Sequence, residues 1–332
     1  MTTFHVDSIA EVSKVLAELR RVRTNPGDTA PSARIATMNF VVFVDDPVHR
    51  PWVVERAHRV AEKYPSRLIF LDSTDETSGV DVSTQGRAER VDIGVAKLDH
   101  GAIASITQEL SVPDIPTVLW WSGSRLLVSR TFAGLVALST SVVVDSSGKT
   151  KSEETIRELA EFVSRYPSLG LRDLAFMRLL PWQDTIAQFF DDPALRDDLF
   201  SLDRLRIESG SDAEALYLGG WLGSRLSWHV AGPAQFRASD GRSISFEKID
   251  KGDQRRVLSV TLGSKETEYR ASISPDDPGV VVLEVTGANA RPKRVTPIQA
   301  VDNTSLIERA ILENGHDEIF ETSLRTVRDL LG

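Results

Sequence analysis

Val112-Pro-Asp-Ile-Pro-Thr-Val-Leu-Trp-Trp-Ser122 is a short apolar run bounded by prolines on one side and Gly123 on the other. Its length and flanks read as a buried β-strand. Successive strand side chains point to opposite faces, so Trp120 and Trp121 cannot fill one core layer. Either the sheet is covered on both sides, or one indole lies near the surface, where tryptophan is favoured at docking sites.

Working outward, strands and helices alternate. An amphipathic helix is expected over residues 8–23 and a Pro/Gly-rich loop over 24–33. A strand follows over Arg34–Val44, then a helix over 48–64 that starts after Asp45-Asp46-Pro47. Strands are expected at 67–72 and 89–97, separated by a polar loop over 73–87. A helix over 101–110, the Trp-Trp strand, a helix over 125–137, a strand over Ser141–Asp145 and a helix over 152–165 complete this half. Beyond residue 168 the pattern changes to broken helices, a strand at 202–209 and a helix at 211–228. Closely spaced strands then follow at Ser243–Ile249, Arg256–Leu262, Glu268–Ile273, Val280–Thr286 and Lys293–Pro297, and two helices at 303–314 and 318–331. The pattern predicts an α/β N-terminal domain, with a mostly parallel sheet and helices on both faces, followed by an α+β C-terminal domain with an antiparallel meander. The corresponding divisions are 1–33, 34–167 and 168–332.

The 332 residues carry a formal net charge of −9 and no cysteine. No extended basic cluster exists to neutralise phosphates, which argues against a nucleic-acid partner. The missing thiols exclude disulfides, thiolate metal sites and a cysteine nucleophile from this chain. With no run long enough to span a membrane and no signal-peptide pattern, a cytoplasmic protein is expected.

A search for chemistry finds little. The six histidines show no metal-binding spacing, and no cofactor or metal is expected. The acid pairs Asp45-Asp46 and Asp191-Asp192 precede prolines at helix starts, and Asp276-Asp277 sits in a turn; capping explains all three. Ser147-Gly148-Lys149-Thr150 lies between a strand and a helix, the setting of a phosphate-binding loop. The glycine such a loop needs five residues before Gly148 is replaced by Val143, so only a weak anion site at Gly148, Lys149 and Thr150 is expected. Gly219 or Gly220, with Gly223, lies along one helix face and reads as a close-packing surface. Trp182, after Pro181, reads either as a docking corner or as a core seal.

Four runs together resemble a known family: the 112–122 stretch, Ser141-Val-Val-Val-Asp-Ser-Ser147, Asp173-Leu-Ala-Phe-Met-Arg-Leu-Leu-Pro-Trp182 and Tyr217-Leu-Gly-Gly-Trp-Leu-Gly-Ser-Arg-Leu226. Their order and spacing are similar to the OpcA family, the glucose-6-phosphate dehydrogenase assembly proteins of cyanobacteria and actinobacteria. The strand Arg34–Val44 resembles that family's first core strand, and the likeness extends over roughly residues 30–300. It implies a non-catalytic partner that binds glucose-6-phosphate dehydrogenase and promotes its active assembly in the oxidative pentose phosphate pathway. The dehydrogenase would carry the NADP chemistry. Relatives from cyanobacteria are linked to thioredoxin control partly through cysteines; this chain has none, so any such control would lie in the partner.

On this reading the candidate partner-binding residues are Trp121, Trp182 and Arg178. The alternative is an anion- or nucleotide-binding sensor at Gly148–Thr150. An enzyme whose residues converge only in three dimensions is a further rival.

Overall fold

A computed structural model describes residues 3–6, 11–12, 14–15, 36–74, 79–85, 88–147, 151–252, 256–299, 301–313 and 315–332. Most of the expected 8–23 helix and all of the 24–33 loop lie outside these residues. The chain forms two compact units: residues 1–144, 166–172 and 303–316 make one, and residues 145–165, 173–302 and 317–332 the other. The units are thus interleaved in sequence, not the contiguous 34–167 and 168–332 halves expected. The helix Ser152–Arg165 belongs to the second unit and the helix Asn303–Leu312 to the first.

The first unit is built on an eight-stranded sheet. Its strands are β1 (Thr3–Val6), β2 (Met38–Val44), β3 (Ser66–Asp72), β4 (Val80–Gln85), β5 (Ala88–Gly94), β6 (Thr117–Ser122), β7 (Ser141–Val144) and β8 (Gly170–Asp173). They are arranged in the order β1-β4-β5-β3-β2-β6-β7-β8. From β5 to β7 the pairs are parallel; β4 and β1 extend one edge antiparallel. The polar β4 falls inside the segment expected to be loop. Every residue of β2 and β3 is buried. Strands with both faces covered read as continuous apolar runs, as Phe40-Val-Val-Phe-Val44 and Leu68-Ile-Phe-Leu71 do.

Trp120 and Trp121 lie on opposite faces, and both are covered. Trp120 stacks on Phe40, with ring centroids 6.3 Å apart, and meets Trp52 edge-on at 5.7 Å. Trp121 stacks on Phe43 at 4.2 Å, meets Phe132 edge-on at 5.0 Å, and donates its Nε1–H to the Arg125 carbonyl at 3.0 Å. Gly123 is required beside it, because a Cβ at that position would lie inside the Trp121 indole. Asn39 of β2, itself buried, donates to the Val112 carbonyl at 2.9 Å and to Thr117 Oγ1 at 3.1 Å, and accepts from Val112 N at 2.8 Å. This amide pins the Pro-rich entry to β6 against the central strand.

The second unit holds another eight-stranded sheet: β9 (Arg204–Ser209), β10 (His229–Gly232), β11 (Gln235–Arg237), β12 (Ser243–Asp250), β13 (Val257–Gly263), β14 (Thr267–Ile273), β15 (Val280–Gly287) and β16 (Arg291–Pro297). The expected meander is present with one change. β9 inserts between β12 and β13, parallel to the first and antiparallel to the second. Strand and turn patterns show where each strand lies, but not that an earlier strand enters among them. The Asp276-Asp277 turn joins β14 to β15, with Gly279 N bonded to Asp277 Oδ1 at 2.8 Å.

The helix Asp212–Arg225 packs through its glycines. A Cβ at Gly219 would meet the Phe246 ring, one at Gly223 the Phe236 ring, and one at Gly220 would meet Val327 Cγ2 and come within 2.7 Å of the Ser323 carbonyl oxygen. Because that obstacle is backbone of the helix Glu318–Leu331, it cannot swing away.

Two stability effects follow. Trp121→Ala should destabilise the chain by about 3–5 kcal/mol, the usual cost of emptying a buried aromatic site; urea unfolding measures it. Gly220→Ala, which in an open helix would gain about 1 kcal/mol, should instead lose roughly 1–3 kcal/mol through overpacking, read as a lower urea midpoint at unchanged slope.

Candidate functional site

The order β5-β3-β2-β6-β7-β8 is third, second, first, fourth, fifth and sixth in the chain sequence of these strands, the order of dinucleotide-binding sheets. In such sheets the crevice lies where the order reverses, here at the carboxyl ends of β2 and β6. The turn after the first strand is then glycine-rich, so that backbone N–H groups can approach a pyrophosphate. The equivalent turn of this chain reads Asp45-Asp46-Pro47-Val48-His49 and contains no glycine. Asp45 reaches across to the loop after β6, where its two carboxylate oxygens both lie 2.9 Å from Ser124 N and Oδ2 also accepts from Ser124 Oγ at 2.9 Å. Asp46 accepts from His49 Nδ1 at 2.7 Å and Val48 N at 2.8 Å, which hold its carboxyl below the usual range. Two carboxylates thus occupy the positions from which this type of sheet otherwise presents donors to phosphate.

The densest concentration of buried charge is in the second unit. Arg178 donates from Nη2 to Asp145 Oδ1 at 2.7 Å, from Nε to Glu214 Oε1 at 3.0 Å, and also to Ser147 Oγ. Asp173, fully buried, accepts from Ser146 N at 3.1 Å, Ala175 N at 3.0 Å and the Tyr217 hydroxyl at 2.7 Å. Burial raises the Asp173 carboxyl, and the charge of Asp145 adds to the shift. Burial also lifts Glu214 to about 7, against the pull of Arg178. For Arg178 the desolvation cost is outweighed by Asp145 and Glu214, so the guanidinium stays charged. Burial raises both Asp173 and Glu214 within this cluster, and it brings Glu214 to about 7.

The residues singled out from sequence fall as follows. Trp121 is 1% exposed and Trp182 is 5% exposed, so both indoles are core. Tryptophan's preference for interfaces is overridden here by its value in a core, and neither side chain offers area to a docking partner. Arg178 is brought together with Asp145, Ser147 and Glu214 as an internal tie, not as a surface anchor. Gly148, Lys149 and Thr150 lie outside the described residues. Asp145, Asp173, Glu214 and Tyr217 were not singled out, although Asp173 and Tyr217 open two of the motifs quoted above. A carboxylate paired with a hydroxyl 44 positions away leaves no local pattern to find. Among the described residues no group of three or more His, Asp or Glu side chains is arranged to hold a metal ion, and no helix is long and apolar enough to cross a membrane.

Between the unfolded carboxyl's 4.5 and about 7, the folded chain keeps a proton on Glu214 that the unfolded chain has released. Stability should therefore fall as pH rises through this window, by up to roughly 3 kcal/mol. Glu214→Gln should flatten that part of the profile, as measured by urea midpoints from pH 5 to 8.

Comparison with known proteins is consistent with this architecture. A family model described as the glucose-6-phosphate dehydrogenase subunit N-terminal domain matches residues 57–161, and one described as the C-terminal domain of the same subunit matches residues 169–324. A protein of Synechocystis provisionally named OxPP cycle protein OpcA is 28% identical over 252 residues, covering 69% of this chain and 53% of the relative. Its namesake from Nostoc punctiforme is 27% identical over 309 residues, covering 81% of this chain and 65% of the relative. The chain therefore spans only about half to two thirds of these relatives' length. Among solved structures, a mutant 3-ketoreductase from Actinomadura kijaniata with TDP-benzene and NADP has a TM-score of 0.53 at 11% identity, covering 89% of this chain and 95% of that one. Levoglucosan dehydrogenase without ligand has a TM-score of 0.52 at 9% identity, covering 90% and 96%. Identities this low establish a shared fold alone. With its two domain models in order and its OpcA-named relatives, the chain belongs to the OpcA family of glucose-6-phosphate dehydrogenase assembly proteins.

Proposed function

We propose that this chain is a non-catalytic partner of glucose-6-phosphate dehydrogenase that favours the enzyme's active oligomer in the oxidative pentose phosphate pathway. The observation that carries this reading is the glycine-free, carboxylate-bearing turn at the reversal point of the first sheet. A family whose domain models bear the name of a dehydrogenase subunit here has a glycine-free turn, with Asp45 bonded to Ser124. Aspartate carboxylates repel a pyrophosphate and have no N–H groups to offer it.

A binding partner raises activity only by holding the active arrangement more tightly than the inactive one. Couplings of about 1–3 kcal/mol give roughly 5- to 150-fold effects. Because Trp121 and Trp182 are buried, the docking surface must be drawn from other residues.

Titrating the chain into its cognate dehydrogenase should raise NADPH production several-fold, saturating at a fixed ratio, with a larger mass by light scattering. An unchanged rate, substrate affinity and mass would remove the assembly role. NADPH production by the isolated chain would remove the non-catalytic one.

A further inference from the structure

We propose that a cavity at the carboxyl ends of β3 and β5 binds a neutral sugar ring through a pair of vicinal hydroxyls. The cavity has a volume of about 330 Å³ and lies within the first unit. Open parallel sheets bind ligands at the carboxyl ends of their strands, and this volume is at the small end for ligand pockets. It suits one ring and not a dinucleotide.

The lining follows from strand and helix periodicity. Phe70 and Asp72 project from one face of β3, and Arg90 and Asp92 from the same face of β5, with Phe70 opposite Asp92 in the parallel register. Arg50 and Val54 come from one face of the helix Arg50–Lys63 that crosses above. The carboxylates are held in place before any ligand arrives. Arg90 donates to Asp92 from Nε at 2.6 Å and from Nη2 at 2.8 Å. Asp72 takes the Arg50 Nε–H on one oxygen, and on the other Thr74 N at 2.9 Å and Thr74 Oγ1 at 2.6 Å. Burial pushes the Asp72 carboxyl up, but these bonds outweigh it and keep it ionised. An ionised carboxylate is acceptor-only and suits hydroxyl donors. Phe70, 1% exposed, gives the floor an apolar face for ring C–H groups.

Charge selects within this class. Asp72, Asp81 and Asp92 outnumber Arg50 and Arg90 around the cavity, so a phosphate is disfavoured and an uncharged polyol is not.

Isothermal calorimetry with the purified chain at pH 7.5 tests the assignment and separates the two common sources of such a ring, a free hexose and a nucleoside. D-glucose or adenosine should give saturable binding. 2′-Deoxyadenosine, which lacks the vicinal diol, should bind at least tenfold more weakly than adenosine, and glucose 6-phosphate at least tenfold more weakly than glucose. Val54→Phe fills the cavity without removing a charge, and should weaken binding at least tenfold while leaving the urea midpoint of the free chain near that of the parent. No saturable heat with either glucose or adenosine would overturn the proposal. So would binding that Val54→Phe leaves unchanged, or a preference for the phosphorylated sugar.

Discussion

The first unit depends on one constraint: its central strands must bury both faces. A strand that alternates apolar and polar residues can leave one side in water, but β2, β3 and β6 carry large apolar side chains on both sides. The adjacent indoles of Trp120 and Trp121 make this explicit, since one rests on Phe40 and Trp52 and the other on Phe43 and Phe132. The crossovers that join parallel strands run over the faces of the sheet, and so parallel pairing and coverage of both faces go together. The buried Asn39 amide then sets where the central pair ends and the Pro-rich entry to β6 begins.

With the sheet order established, the question is what stands at its functional edge. Dinucleotide-binding sheets of this order depend on backbone donors freed by glycine. This chain places Asp45 there and satisfies it internally through Ser124. The second unit uses carboxylates differently: Asp145, Asp173 and Glu214 gather around Arg178 and Tyr217 in the interior. Such groups are costly to bury, and each is retained only because its neighbours satisfy it. Burial raises both Asp173 and Glu214, the latter to about 7. The same chemical group therefore bridges two loops in one unit and ties buried segments together in the other.

Much of the fold was legible because its signals are local. Continuous apolar runs marked β2, β3 and β6, and paired acids before prolines marked turns but not helix caps, since His49 and Leu195 stand at the N-caps without side-chain cap bonds. Gly219, Gly220 and Gly223 announced a close-packed helix face. What failed was either short and polar or long-range. β4 reads Val-Asp-Val-Ser-Thr-Gln, which looks like loop until β5 and β1 flank it. The insertion of β9 between β12 and β13 leaves no mark on the residues between them. The candidate site was less legible still. Tryptophan's two uses, core and interface, have the same composition signal, and only the neighbouring strands decide that Trp121 is core. Arg178 was singled out as a partner anchor, but it is tied internally to carboxylates from the loop after β7 and from the helix Asp212–Arg225, and no spacing links them.

A fold shared with reductases and a carboxylate-bearing turn without glycine are not in conflict. The stability of the first unit resides in packed strand faces, whereas nucleotide binding resides in one turn, so the turn can change while the core does not. A sheet of this order without the glycine turn still offers a rigid surface, and a rigid surface with differential contacts is all that biasing a two-state partner requires. The first unit also has a polar cavity at the ends of β3 and β5, where Arg50 and Arg90 position Asp72 and Asp92. Holding these groups against one another before any ligand arrives is what a binding site requires, and no step of bond making is needed for it to serve.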